Sequence, residues 1–245
     1  MCNITHKICR IDKGKINMKS WKGYNIIDLI LIVVGIVAVT ISSILFKSKW
    51  YIFVTTTLGL LCVFTQAKGK IITQFIGIVW FAFYVFVTYT QRYYGESLLY
   101  LIIMIPMYVY GVIHWLCNRD KNDNVVIVRS NLSKKEWAIS GVCFATLAVG
   151  VYFLLKALNT AQLIISTLSF VSMLPAVYLL IRRCKWNQVA FLVNDFMVMS
   201  LWVVLVIQGD FSFLSMCIYH VFQITYDVYG LVEWIKLEKK QKQEN

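Results

Sequence analysis

Eight long apolar runs divide this chain, and their length leaves few folds open. They cover Ile26–Phe46, Tyr51–Ala67, Ile71–Thr90, Ser97–Leu116, Ala138–Leu155, Ala161–Ile181, Gln188–Ile207 and Ser212–Ile235. An α-helix needs about 20 residues to cross a hydrocarbon layer of about 30 Å, so most runs have spanning length and the second is at the short limit. In lipid every backbone N–H and C=O must be satisfied, which a helix does within its own segment. With 59% hydrophobic and 15% charged residues, the chain is too apolar for a soluble domain of 245 residues. The reading is an all-α integral membrane protein with eight transmembrane helices.

A net charge of +12 would suggest nucleic acid as a partner of a soluble chain. Here the basic residues fall between and beyond the apolar runs, so no nucleic-acid partner is expected. A cytoplasmic N-terminus puts all but four of the 24 Lys and Arg on the inner side, leaving Lys47, Lys49, Arg92 and Lys156 outside. Both termini are therefore expected in the cytoplasm, with the chain in the cytoplasmic membrane. The N-terminus has no cleavable signal pattern. Seven cysteines are scattered and never spaced C-x-x-C, so neither a disulfide framework nor a metal site is expected. The chain carries no H-E-x-x-H, G-x-S-x-G or phosphate-binding glycine loop, and its intramembrane aspartates lack the Gly-x-Gly-Asp setting of an aspartyl protease. Neither enzymatic activity nor a cofactor is expected.

The phrase Tyr-Gly-x-x-x-Trp occurs twice, at Tyr110-Gly111 to Trp115 and at Tyr229-Gly230 to Trp234, each time closing an apolar run before basic residues. Those runs also open alike, at Gly95-Glu96-Ser97-Leu98 and Gly209-Asp210-Phe211-Ser212, and Lys68-Gly69-Lys70 matches Arg182-Arg183-Cys184-Lys185 in the turns between. A duplicated unit is the simplest cause. Spans 2–4 and 6–8 then form two triples that run in the same direction, related by an axis along the membrane normal. The expected organisation is a cytoplasmic tail at 1–25, an extra helix at 26–46, a three-helix repeat at 50–116, a cytoplasmic linker at 117–135, a linking helix at 136–156, a second repeat at 160–235 and a tail at 236–245. Pro106 and Pro175 are expected to bend their helices. Trp115, Trp234, His114 and Glu233 fall at the membrane rim and read as interfacial.

Span 8 carries His220, Gln223 and Asp227 at i, i+3 and i+7, one face of a helix, with Tyr226 adjacent. Span 3 carries Gln74, Gly77, Phe81, Tyr84 and Thr88 in steps of three and four, with Trp80 beside them; span 7 adds Gln188, Asn194, Asp195 and Trp202, and span 4 adds Tyr100 and Tyr108. Unpaired polar groups are costly in hydrocarbon, so these faces turn toward protein or a water-filled cavity. Rings beside amides and carboxyls suit a planar, hydroxylated small molecule. The candidate substrate-binding set is Gln74, Trp80, Tyr84, Tyr108, Asn194, Asp195, His220, Gln223, Tyr226 and Asp227. A single Tyr or Trp in a span more often faces lipid or the interface than a site, and a sensor that binds without moving its ligand is the alternative.

Ala67-Lys68-Gly69-Lys70, Tyr93-Tyr94-Gly95-Glu96, Pro106-Met107 and the closing Tyr110-Gly111 to Trp115 resemble the PnuC family of vitamin transporters, and the likeness runs through about residues 50 to 236. The resemblance implies a SWEET-like fold of three helices, one linking helix and three helices. It also implies facilitated diffusion of nicotinamide riboside or a related vitamin or nucleoside, trapped by a cytoplasmic kinase; thiamine, riboflavin and deoxynucleosides are rival substrates. In the family the middle helix of each triple carries an Asn, preceded in the second triple by a Trp about one turn earlier. Asn194 matches the second Asn, whereas Ala190 stands for the Trp and Trp80 for the first Asn. Self-association into a homo-oligomer is compatible with this reading.

Overall fold

The computed structural model of the chain describes residues 25–120, 125–129 and 131–243. Apart from Asn25, the tail expected at 1–25 lies outside these residues, as do 121–124 and 130 of the linker and 244–245 of the tail expected at 236–245. The described chain forms α1 (Ile26–Leu45), α2 (Trp50–Ala67), α3 (Ile72–Thr90), α4 (Tyr94–Leu99), α5 (Ile105–Cys117), α6 (Lys134–Ala157), α7 (Leu163–Ile181), α8 (Asn187–Ile207) and α9 (Leu214–Gln243). A π-helical turn at Tyr100–Met104 joins α4 to α5. Among the described residues, seven segments are long and apolar enough to cross a membrane, one of them being Ser97–Cys117 through that turn. The eighth expected span corresponds to α9, 30 residues long, which its internal His220, Gln223 and Asp227 and its basic end leave more polar than the other seven. The stretch expected as a tail from residue 236 continues this helix to Gln243.

Local sequence accounts for several boundaries. α1 begins at an Asn25-x-x-Asp28 capping box and α6 at Ser133-x-x-Glu136, each satisfying amides of a first turn. Pro106 lies in the first turn of α5, directly after the π-helical turn. A proline cannot donate to the carbonyl one turn back, and the widened turn takes up that break in register. Pro175 lies inside α7.

Packing arranges six elements in a closed ring. α3 packs between α2 and α5, α8 packs between α7 and α9, and the ring closes by α2 against α9 and α5 against α7. α1 leans on α2 and α9 from outside, and α6 runs along α7, burying only Ser140, Val151 and Leu155. Ile139, Val142 and Phe153 of α6 and Ile27, Ile30 and Val33 of α1 stand exposed, an apolar exterior suited to acyl chains.

The α2–α3 and α7–α8 turns lie at one end of the ring and are built alike. Each passes through a left-handed residue, Gly69 or Arg183, both at φ 61°. Each closes with an amide donating to the penultimate carbonyl of the preceding helix, Gly69 N to Gln66 O and Arg183 N to Leu180 O, both 2.9 Å. Val125–Arg129 crosses between the two turns: Val126 N donates to Gly69 O at 3.0 Å and Arg129 N to Arg183 O at 2.9 Å. Gln241 of α9 pins the middle, accepting from Val128 N at 2.9 Å and donating to Val126 O at 3.1 Å. The linker expected as a polar connector is, in this part, a strap with Val125 and Val126 buried beneath it. Its apolar residues pack on helix ends, and its backbone groups bond to turn amides and carbonyls that would otherwise be unpaired.

Candidate functional site

Two groups of buried side chains occupy the ring interior. The first is aromatic. Trp80 and Tyr84 of α3 lie with ring centroids 5.3 Å apart, and Tyr84 meets Tyr100 edge-on at 5.0 Å. Tyr84 also reaches across the ring to Trp202 of α8 at 6.0 Å, and Trp202 stacks on Phe213 at 5.4 Å. Phe81 links this group to Tyr108 of α5 at 4.9 Å. The three- and four-residue spacing in α3 puts these rings on its inner face. The indole nitrogens of Trp80 and Trp202 are buried and have no hydrogen-bond partner among the described residues.

The second group is acidic. Asp195 of α8 and Asp227 of α9, 2% and 1% exposed, lie close enough to interact electrostatically. His220 lies one side of Asp195, its Nδ1 3.5 Å from Oδ1, an electrostatic contact longer than a good hydrogen bond. Gln188 lies on the other side: with its amide oriented to its surroundings, Nε2 donates to Asp227 Oδ1 at 3.3 Å and Oε1 accepts from Trp234 Nε1 at 3.1 Å. His220, Asp195, Asp227, Gln188 and Trp234 thus form a polar file along the α8–α9 seam. Among the described residues, no Lys or Arg pairs with either acid of this file. Tight helix contact makes the file possible: Gly230 faces Gln188, where an added Cβ would come within 2.9 Å of Cδ, and Gly59 of α2 faces the Tyr219 ring, where one would come within 2.4 Å.

Of the ten residues expected at the site, nine are buried and Gln223 is half-buried. Trp80, Tyr84 and Tyr108 come together in the aromatic group, and Asp195, His220 and Asp227 in the acidic one. Gln74 is fully buried at the α3–α5 seam beside Gly111. Asn194 turns toward α7, donating its amide to Ser169 O at 2.8 Å and Ser172 Oγ at 2.9 Å. Ala190, one turn earlier, lines an open apolar groove on the outer face with Pro175, Val189 and Val193. Tyr226 packs against Phe64 of α2 at 6.2 Å, away from the acids.

Three features fall outside the expected set. Trp115 and Trp234, read as interfacial, are fully buried: Trp115 Nε1 donates to Leu180 O at 3.0 Å and Trp234 Nε1 to Gln66 O at 2.9 Å. A helix-end carbonyl is a better acceptor for an indole N–H in a dry site than the rim would offer. Asp28, in the first turn of α1, is buried against Lys68 at 2.9 Å, and Lys68 also holds Glu233 at 2.8 Å and the Tyr229 hydroxyl at 2.9 Å. Burial disfavours charge on Lys68, but its hydrogen bonds to Glu233, Tyr229 and Asp28 outweigh this and hold the ammonium above its ordinary range. On the other turn, burial works with neighbouring Arg182 and Arg129 to lower Arg183. The signal for Asp28 was in the sequence, a lone carboxylate at the mouth of an apolar run; its partner is 40 residues away and could not be read from spacing.

Among the described residues, seven membrane-length helical segments, five of which join α9 in a ring around a polar and aromatic interior, define a multi-pass membrane protein. Residues 49–236, about three quarters of the chain, match the family model described as nicotinamide mononucleotide transporter, and the chain belongs to that family of membrane transporters, which are not enzymes. The nicotinamide riboside transporter PnuC of Neisseria mucosa is 26% identical over 196 residues, which cover 78% of this chain and 74% of that one. The protein of the same name from Haemophilus influenzae is 23% identical, covering 59% of this chain and 62% of that one. A crystal structure of the vitamin B3 transporter PnuC shares the fold, with a TM-score of 0.78 at 22% identity, and the match covers 89% of this chain and 94% of that one.

Proposed function

We propose that this chain is a facilitator for nicotinamide riboside or a closely related vitamin or nucleoside, moving it down its gradient into the cell, where phosphorylation by a cytoplasmic kinase traps it. The observation that carries the reading is the ring interior: buried rings able to stack on a planar base stand near buried carboxyl, amide and imidazole groups able to bind hydroxyls. The names borne by the relatives from Neisseria mucosa and Haemophilus influenzae supply the substrate class. On this reading α9 is an eighth span, its polar face shielded by α2 and α8. The two triples are parallel repeats joined by α6, and the end carrying the two turns and the strap is cytoplasmic, with both termini. The like-built turns and the reciprocal Trp115 and Trp234 bonds support the duplication. Trp80, Tyr84 and Tyr108 stack on or shape the base pocket; Asp195, Asp227, His220 and Gln223 bind polar substituents; Gln74, Asn194 and Tyr226 border the path. Pro106 with its π-helical turn, and Pro175, supply the bends about which the helices rock.

Uptake of labelled nicotinamide riboside into proteoliposomes tests the proposal. Saturable flux, competed by unlabelled riboside and independent of added ATP, is expected; no such flux with any vitamin or nucleoside overturns it. Thiamine, riboflavin and deoxynucleosides belong in the competition panel. A sensor would instead show ligand-induced thermal stabilisation without flux.

A further inference from the structure

Gln74 and Gln188 stand in like settings but differ in what holds them. Each is near the start of a helix after one of the two like-built turns, and each packs over the glycine of a Tyr-Gly pair. An added Cβ at Gly111 would lie 2.5 Å from Gln74 Oε1, and one at Gly230 would lie 2.9 Å from Gln188 Cδ. Gln188 is held at both ends, its Nε2 donating to Asp227 at 3.3 Å and its Oε1 accepting from Trp234 Nε1 at 3.1 Å, an N–H it shares with Gln66 O. Tyr108 occupies the place before Gly111 that Asp227 occupies before Gly230, so Gln74 has no corresponding carboxylate. The Trp115 indole is donated to Leu180 O. Gln74 is 0% exposed, and neither amide atom has a hydrogen-bond partner among the described residues.

A buried amide with both donor and acceptor uncommitted is complementary to a group that presents an acceptor and a donor side by side. The geometry points to Gln74 as a specificity-determining residue that reads a primary carboxamide on the transported molecule through a paired amide–amide contact. This deepens the transport reading above and rests on it for the identity of the cargo. A carboxylate in the same place sets an acceptor against Gln74 Oε1, and the mismatch leaves buried polar groups unpaired. Gln188, already held by α9, keeps Asp227 in position and takes no part in this discrimination.

The test uses matched ligands on the full-length chain: nicotinamide riboside against nicotinic acid riboside in competition for flux, and nicotinamide against nicotinate in thermal stabilisation of the purified protein. The wild type is expected to prefer the carboxamide by about 100-fold, in line with sites built around a hydrogen bond. Gln74→Leu is expected to cut that preference to below about tenfold, and Gln74→Met, which keeps the length of the side chain but removes both donor and acceptor, to reduce it likewise. Gln74→Met decides if Gln74→Leu does not fold. A preference that survives both substitutions overturns the proposal, as does a wild type that treats amide and acid alike in both assays. If riboside flux is absent while nicotinamide alone stabilises the wild type and not Gln74→Met, the amide contact stands and the transport reading falls.

Discussion

The indoles of Trp115 and Trp234 meet with ring centroids 6.1 Å apart, and each donates its N–H past the other to the penultimate carbonyl of a helix in the opposite half of the chain. The two tryptophans of the repeated phrase thus cross-brace α5 to α7 and α9 to α2. Trp115→Phe and Trp234→Phe each remove one indole N–H donor and leave a small gap, so each is expected to destabilise by about 1–3 kcal/mol. Because the rings touch, the double variant should depart from additivity by at least about 0.5 kcal/mol. Thermal unfolding of the purified variants measures both terms; additive effects would show the two braces to be independent.

Lys68 neutralises two acids from different helices, Asp28 and Glu233, with 6% of its own side chain exposed. Lys68→Met strands buried Asp28, leaves Glu233 with only the exposed Lys236 at 2.9 Å, and is expected to lower stability by about 3–5 kcal/mol. The ammonium is held above its ordinary range, so its contribution is fully present below the unfolded value, about 10.4, and is lost only as pH rises through the higher folded value. A melting profile from pH 6 to 9 should therefore show the deficit of Lys68→Met unchanged across the range. A deficit that vanishes at pH 9 would place the charge elsewhere.

Asp227 accepts from Gln188 and faces Asp195. Asp227→Asn keeps the shape and removes the carboxylate, so uptake should fall by about tenfold or more, the worth of one hydrogen bond to a charged group. Membrane insertion and the elution profile should match the wild type. Unchanged uptake removes Asp227 from the path.

Gly77 and Gly59 face rings: a Cβ at Gly77 would lie 2.2 Å from Tyr108 Cε1, and one at Gly59 2.4 Å from Tyr219. Alanine at either should cost about 1–3 kcal/mol, because a buried ring cannot yield without moving its neighbours. Gly141 of α6 has nothing within 4 Å, so Gly141→Ala is expected to be neutral or to stabilise by up to about 1 kcal/mol. Melting temperatures of the three variants provide the comparison.

The helices could be read from sequence because each run is long and its composition decides its solvent. The polar face of α9 and the ring-bearing face of α3 followed from the 3.6-residue period, which is a local property. Seam geometry was not legible. Asn194 and Asp195 are adjacent in sequence and about 100° apart on the helix, and that turn separates a tie to Ser169 from a place in the acidic file. The roles of Asp28, Gln188, Trp115 and Trp234 depend on partners that arrive from other helices, and spacing within one element carries no information about them. The aromatic rim rule misplaced the two tryptophans because it treats the helix end as wet, whereas the strap between the turns roofs it over.

The closed ring has a consequence for biogenesis. The inner face of α2 is completed by α9, which leaves the ribosome after the other five elements of the ring, so α2 must sit in the bilayer with its Gly59 notch and the Gln66 carbonyl open until α9 has been translated. Assembly cannot proceed one half at a time, and a nascent chain stalled before α9 presents an unfinished seam that membrane quality control can recognise.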